Sequence, residues 1–365
     1  MTESDAMGKR KQLEKKKRTT VRERDWENKP EADFSHDLVK HRKALSKLPE
    51  NSLYRSPLPH NFVPNATVVS HSRKWAFVTA DSGGDGREET RLCLIDERIE
   101  EKTTTLLAPG DRVFIEYDQD GNPVVRGIGG RRTTLFRFAP RKRGVEKHLI
   151  AANVDMLLIV AATANPPFRP GLIDRFLITA QLGGVSPVIC LNKMDLVNEL
   201  PEQLHIYRAL GIPICTTSCV TGQGLEALRE LLCNKTSVFA GHSGVGKSSL
   251  LNALDPNLRV YTREVSEATQ RGKHATTAST LYALAGNICV IDTPGIRTLG
   301  LWNVDPEELA LYFPDIAEYS LQCRFRNCTH IHEPGCAVLA AVEQGSLPSL
   351  RYASYKRIRE TLETE

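Results

Sequence analysis

The chain has no apolar run approaching the roughly 20 residues that a membrane-crossing helix needs. Its first residues are charged, so the apolar core of a secretory signal is missing as well. A cytoplasmic protein without membrane contact is the expectation. Charge of one sign is not in large excess, with 48 basic against 44 acidic residues and a formal net charge of +4. Cysteines are scattered rather than spaced as a disulfide framework, and in a reducing compartment a local cluster of them points to metal instead.

What is present supports packed cores. Apolar residues make up 41% of 365 residues, a length that suits two or three domains. The basic residues are bunched. Lys9-Arg10-Lys11 and Lys15-Lys16-Lys17-Arg18 form one block, and Arg126, Arg131, Arg132, Arg137, Arg141, Lys142, Arg143 and Lys147 form another. Each block suits either a solvated surface or contact with a phosphate backbone.

Residues 1–60 are charged and lack apolar periodicity, as expected of a disordered basic tail. Residues 61–145 alternate in short runs, at Ala66–Val69, Trp75–Val78, Arg91–Ile95 and Arg112–Tyr117. Turn signals at Gly83-Gly84, Pro109-Gly110 and Asp120-Gly121-Asn122 divide them. About five strands in such a span predict a small closed β-barrel of the OB-fold kind.

Residues 146–300 have an α/β texture. Val154–Ala161 is a continuous apolar run, as in a parallel sheet buried on both faces. A helical stretch follows near Leu172–Leu182, then a strand at Pro187–Leu191. Ser237–Ala240 and Ile288–Ile291 are further strands, and Ser248–Leu254 opens a helix. Residues 301–365 read as a helical, cysteine-bearing unit that ends in a charged helix near Leu350–Leu362.

Between a strand and a helix stands Gly241-His242-Ser243-Gly244-Val245-Gly246-Lys247-Ser248, followed by Ser249, which fits the phosphate-loop pattern. Its glycines let backbone N–H groups approach phosphates, Lys247 supplies a point charge, and Ser248 offers a hydroxyl to Mg²⁺. Asn192-Lys193-Met194-Asp195, at the end of a strand, has the guanine-recognition form. The Asp195 carboxylate matches the N1–H and 2-amino donors of guanine, both of which adenine lacks. Asn192 is expected at the base edge and Lys193 along the loop and base. Ser218-Cys219 stands where a backbone N–H meets the guanine carbonyl. GTP or GDP with Mg²⁺ is the expected ligand.

Asp292-Thr293-Pro294-Gly295 supplies an aspartate for the Mg²⁺ shell and, at Gly295, an N–H for the γ-phosphate. Arg271–Thr277 lies where the first switch belongs, with Thr276 and Thr277 both candidates for Mg²⁺. The residue after Gly295 is Ile296, which cannot orient water as a glutamine there would, so slow intrinsic hydrolysis is expected. His274 is the nearby residue suited to ordering that water, alongside Lys247 on the phosphates. Gly244 stands where cation-activated GTPases carry asparagine. Cys323-x4-Cys328-x-His330-x5-Cys336 offers three thiolates and an imidazole, a closed set suited to one structural Zn²⁺.

The motif order decides between families. Asn192–Asp195 precedes the phosphate loop, and Asp292–Gly295 comes last, whereas in an ordinary GTPase the phosphate loop comes first and the guanine-recognition motif late. With the barrel before it and the cysteine set after it, including Pro334-Gly335, this order resembles the ribosome small subunit-dependent GTPases of the RsgA/YjeQ type. Arg351-Tyr352-x-Ser354-Tyr355 is similar to that family's closing helix. The resemblance covers about residues 60–365. It implies a multidomain chain: an OB-fold, a circularly permuted P-loop GTPase domain and an α-helical zinc-binding domain. It further implies GTP hydrolysis stimulated by the small ribosomal subunit, late maturation of that subunit, and rRNA contacts made by the outer domains. Nothing in the sequence points to an obligate oligomer, so a monomer is expected. Ala275 departs from the family's usual threonine, and the basic tail has no counterpart in it. The competing reading is an RNA-binding scaffold that uses nucleotide only for stability. Ile296 favours it, whereas the joint retention of Asp195, Lys247, Ser248 and Asp292 opposes it.

Overall fold

The computed structural model describes residues 61–72, 74–81, 90–102, 107–140, 145–256, 279–292, 301 and 304–364. Strands β1 (Ala66–His71), β2 (Trp75–Ala80), β3 (Thr90–Ile95), β4 (Arg112–Tyr117) and β5 (Pro123–Ile128) close into a barrel in the order β1-β2-β3-β5-β4, and a short helix α1 (Glu97–Lys102) follows β3. Closure comes from β1 against β4, at Ala66 opposite Val113, and β3 runs parallel to β5. This is the OB-like arrangement. Alternation along each strand turns Ala66, Val68, Ala76, Val78, Cys93, Val113 and Val125 into one core.

Three arginines of the second basic block pair with aspartates, two of them, Arg126 and Arg131, inside the fold and Arg132 at the surface. Arg126 is 5% exposed and pairs with the wholly buried Asp96. Arg131 grips the buried Asp111, and Arg132 reaches Asp155. Arg141, Lys142 and Arg143 lie outside the described residues, as does the tail.

Beyond the barrel, an antiparallel hairpin, β6 (Thr134–Pro140) with β7 (Val145–Ala152), leads into the main sheet. That sheet has six strands in the order β10-β9-β8-β11-β13-β12. Strands β8 (Met156–Ala162), β9 (Ser186–Asn192), β10 (Ile214–Thr216), β11 (Thr236–Ala240) and β13 (Ile288–Asp292) are parallel, and β12 (Thr280–Leu284) is an antiparallel edge. Every residue of β8 is buried, because helices cover both faces. On one side α2 (Pro170–Gly183) packs Ile173, Phe176 and Ala180 on the sheet, and α3 (Leu204–Ala209) adds Leu204 and Tyr207. On the other side lie α4 (Leu225–Leu232) and α5 (Lys247–Leu254). Pro170 opens α2 at a position where its missing N–H costs nothing, and Gly184 closes it in the left-handed conformation.

The C-terminal unit is made of α6 (Pro314–Ser320), α7 (Ala337–Glu343) and α8 (Ser349–Thr364) around Phe313, Ile316, Val338, Leu347, Tyr355 and Ile358. Ile178 of α2 belongs to the same apolar cluster, so this unit is packed directly on the helical face of the sheet. Among the described residues, no helix is long and apolar enough to cross a membrane.

Candidate functional site: a nucleotide cleft and a thiol–imidazole centre

The parallel strands deliver their motifs to one edge. Asn192 ends β9, Thr216 ends β10 just before Ser218, Ala240 ends β11 just before Gly241, and Asp292 ends β13. Ligands of open α/β sheets bind at these carboxyl ends.

The phosphate loop wraps the end of β11. Gly241 and Gly246 have φ of +149° and +100°. A methyl group on Gly241 would lie 2.2 Å from the Val160 carbonyl oxygen, and one on Gly246 would lie 2.3 Å from Asn192 Nδ2. Both positions therefore require glycine. The loop runs into α5 at Lys247, and helix N-termini with their unpaired N–H groups favour anions. Lys247 Nζ donates to the carbonyls of Gly241 (2.7 Å) and His242 (3.0 Å), which folds its charge back over the loop. His242 Nδ1 donates to the Ser243 carbonyl at 2.7 Å, leaving Nε2 toward Arg169 at 3.5 Å. Gly244 is in the left-handed region, Val245 is buried, and Ser248 and Ser249 stand in the first turn of α5.

Asn192, expected at the base edge, is bonded inward in this structure. It is 2% exposed, and its amide is used within the protein. Nδ2 donates to the Val245 carbonyl at 3.0 Å, while Oδ1 accepts from Thr217 Oγ1 at 3.1 Å and from Cys219 Sγ at 3.8 Å. One side chain thus ties the phosphate loop to both guanine-recognition loops. Thr217, wholly buried, was missed by the motif reading, and its position directly before Ser218-Cys219 was the available signal.

Lys193 is held in the left-handed region, with its Nζ on the Asn165 carbonyl and its own carbonyl accepting from Thr163 Oγ1 at 2.7 Å. Asp195 is exposed, and its Oδ1 accepts from Ser218 Oγ at 2.5 Å. Ser218 Oγ in turn accepts from the N–H groups of Val220 and Thr221, both at 3.2 Å, so its proton is directed at the carboxylate.

Asp292 stands at the end of β13, in register with Thr280 of the edge strand. The other expected Mg²⁺ and hydrolysis residues, His274, Thr276, Thr277, Gly295 and Ile296, lie outside the described residues.

In the C-terminal unit, one donor atom from each of Cys323, Cys328, His330 and Cys336 lies within 4.8 Å of the others. Tetrahedral zinc with bonds of about 2.3 Å to sulfur and about 2.0 Å to nitrogen would separate sulfurs by about 3.8 Å and sulfur from nitrogen by about 3.5 Å. Cys323 Sγ and Cys336 Sγ are 3.8 Å apart, and His330 Nδ1 is 3.5 and 3.6 Å from them. The donor set fits zinc closely. The turn that carries it is braced from outside. Tyr352 and Tyr355 donate to the carbonyls of His330 (2.8 Å) and Thr329 (3.0 Å), and Glu333 accepts from Thr329 Oγ1 and the N–H groups of Thr329, Ile331 and His332. Burial raises the Glu333 carboxyl, but these bonds overcome it and hold its pKa well below the usual carboxylate range.

Comparison with known proteins agrees with this architecture along most of the chain. The protein-family model described as RsgA GTPase matches residues 128–302. A small ribosomal subunit biogenesis GTPase RsgA of Flavobacterium johnsoniae is 38% identical over 267 residues, covering 71% of this chain and 82% of that protein. One of Chlorobaculum tepidum is 40% identical over 288 residues, covering 76% and 93%. The chain belongs to the RsgA GTPase family. It hydrolyses GTP. The crystal structure of YjeQ from Thermotoga maritima superposes with a TM-score of 0.64 at 32% identity, over 83% of this chain and 99% of that one. YloQ, described as a circularly permuted GTPase, gives 0.60 at 29% identity, over 85% and 98%. The permuted order is therefore that of an RsgA fold, with the barrel entering before β8 and the thiol–imidazole unit leaving after β13.

Proposed function

We propose that this GTPase acts in late maturation of the small ribosomal subunit, that the subunit stimulates its hydrolysis, and that the barrel and the C-terminal unit contact rRNA. The observation that carries this reading is the match to proteins named for small ribosomal subunit biogenesis over 82% and 93% of their length. The turn around the thiol–imidazole centre adds support, because it exposes Arg324, Phe325 and Arg326 side by side. A basic pair flanking an aromatic ring suits unpaired bases and phosphates.

In this reading one structural zinc is held by Cys323, Cys328, His330 and Cys336. Mg²⁺ is held by Ser248, Asp292 and one of Thr276 and Thr277, with Gly295 on the γ-phosphate. GTP contacts Asp195, Lys193, the Ser218-Cys219 backbone and the Gly241–Ser249 loop, with Asn192 bracing them. GTP favours binding to the subunit, and rRNA contact orders the attacking water, with His274 as its protein partner. The protein works as a cytoplasmic monomer, with functional units at 61–145, 146–300 and 301–365 and the basic segment 1–60 ahead of them.

The test is GTP turnover with and without purified small subunits, with large subunits and ATP as controls. Stimulation confined to GTP and to small subunits is expected. GTP turnover that small subunits leave unchanged overturns the reading.

A further inference from the structure

We propose that Cys190 and Cys215 form an oxidisable dithiol beneath the guanine-recognition loops, and that its disulfide lowers the affinity for guanine nucleotides. Strands β9 and β10 run parallel with Cys190 directly opposite Cys215. Partners in neighbouring strands sit about 4.8 Å apart, inside the Cα separation of about 4.4–6.8 Å that a disulfide spans. Both side chains pack into the same apolar cluster, so they lie on the same face of the sheet. Cys219 joins them there.

The pair lies at the root of the nucleotide site. Asn192 follows Cys190 by two residues, and Thr217 follows Cys215 by two. Cys190 Sγ is 3.4 Å from Thr217 Oγ1, the hydroxyl that donates to Asn192 Oδ1. The same Asn192 amide holds the phosphate loop through Val245. Any movement of the two sulfurs is therefore felt at all three loops.

The two thiols are unequal in a way that suits stepwise oxidation. Cys190 is wholly buried, whereas Cys215 is partly exposed and meets an oxidant first. Hydrogen bonding from Cys190 favours the Cys215 thiolate and holds that thiol below its ordinary value, and the thiolate is the reactive form. A hydroperoxide would transfer one oxygen to Cys215, giving a sulfenic acid and an alcohol or water. The Cys190 thiol then attacks that sulfur, and water leaves as the S–S bond forms. Two thiols and one hydroperoxide become one disulfide, one alcohol (water, if hydrogen peroxide is used) and one water. Drawing the two facing sulfurs into a bond pulls β10 toward β9 and takes Cys190 off Thr217. Thr217 and Ser218 then shift against Asn192 and Asp195.

The experiment treats the full zinc-loaded chain with hydrogen peroxide. It follows a fluorescent GDP analogue for affinity, proteolytic peptide masses for the linkage, and zinc release in parallel. A linked Cys190–Cys215 peptide with affinity weakened at least about fivefold, restored by dithiothreitol, is expected. Cys190→Ala and Cys215→Ala should each keep their affinity under oxidant while releasing zinc as the parent does. Cys215 lies at a partly exposed edge, so its variant remains informative if the buried one does not fold. No linked peptide under conditions that oxidise the exposed Cys233 overturns the proposal. So does a linked peptide with unchanged affinity, or a loss of affinity that persists in Cys215→Ala.

Discussion

Arg351 of α8 and Asp174 of α2 form an ion pair buried on both sides, at 3% and 1% exposure, across the junction between the zinc-binding unit and the nucleotide-binding sheet. The same guanidinium binds Asp315 of α6 at 2.8 and 2.9 Å and lies 4.5 Å over the Phe313 ring. One cation serves two carboxylates. That explains why burial still leaves the Asp174 carboxyl above its usual range despite Arg351, while Asp315 and Asp174 together hold the guanidinium up against its own burial. Arg351→Ala strands a buried carboxylate and should cost about 3–5 kcal/mol. Asp174→Asn removes the charge that burial penalises and should cost much less. The sign with pH follows. A carboxyl whose folded-state pKa is raised costs stability when ionised. The Arg351→Ala deficit should therefore be full at neutral pH and shrink as pH falls through the raised value. Denaturant unfolding of both variants at neutral and mildly acidic pH checks this, and a deficit independent of pH would contradict it.

Gly246→Ala tests the link between the phosphate loop and Asn192. The added methyl meets Asn192 Nδ2 at 2.3 Å in a backbone conformation that L-residues rarely adopt. The loop must shift, and with it the Val245 carbonyl that Asn192 holds. GTP affinity should fall by at least about 100-fold, the scale expected when an aligned phosphate cradle is lost, while the circular dichroism of the sheet stays unchanged. Equilibrium binding of a fluorescent GTP analogue reads the effect.

How much of this was legible in the sequence depends on the kind of contact. The apolar runs placed β8, β9, β11 and β13 within a residue or two, because strands buried on both faces carry an uninterrupted signal. The phosphate loop and the Cys₃His set were visible because glycine, lysine and cysteine are chemically distinctive. The hairpin β6–β7 was hidden, since Arg137 and Arg141–Arg143 made it look like a charged surface segment. The inward role of Asn192 was hidden too. Its motif says that an amide is needed but not where the amide points, and the decisive partners, Val245 and Thr217, are far along the chain. The Arg351–Asp174 pair spans 177 residues and leaves no local pattern at all.

Glu333 braces the zinc turn without belonging to the donor set. Its carboxylate accepts from Thr329 Oγ1 and from three backbone N–H groups, those of Thr329, Ile331 and His332, on either side of the ligand His330. Glu333→Ala leaves the two partly buried Thr329 donors unpaired and should cost about 1–3 kcal/mol. Zinc should leave faster from the variant when a chromogenic chelator competes for it, by about tenfold or more, as for other outer partners of metal ligands. Glu333→Gln, which keeps an accepting oxygen, should fall between the two. Equal release rates for all three chains would show that the turn is held by Tyr352 and Tyr355 alone.

Asp195 should set the base preference, and an exchange of one atom type tests it. Guanine offers N1–H and a 2-amino group, both donors, and a carboxylate accepts from both. Xanthine replaces the amino group with a carbonyl, which a carboxylate repels and an amide N–H can satisfy. Ser218 Oγ directs its proton at one oxygen of Asp195, so in Asp195→Asn the carbonyl oxygen should take that place and turn the amide N–H₂ toward the base. GTP affinity should drop by about 100-fold or more, the scale set by unpaired polar groups in a site built for hydrogen bonds. XTP affinity should rise over that of the parent, and the variant should turn over XTP in preference to GTP. Competition of both nucleotides against a fluorescent analogue, followed by phosphate release with each, separates the outcomes. Equal losses for GTP and XTP would mean that Asp195 supports the loop through Ser218 rather than reading the base.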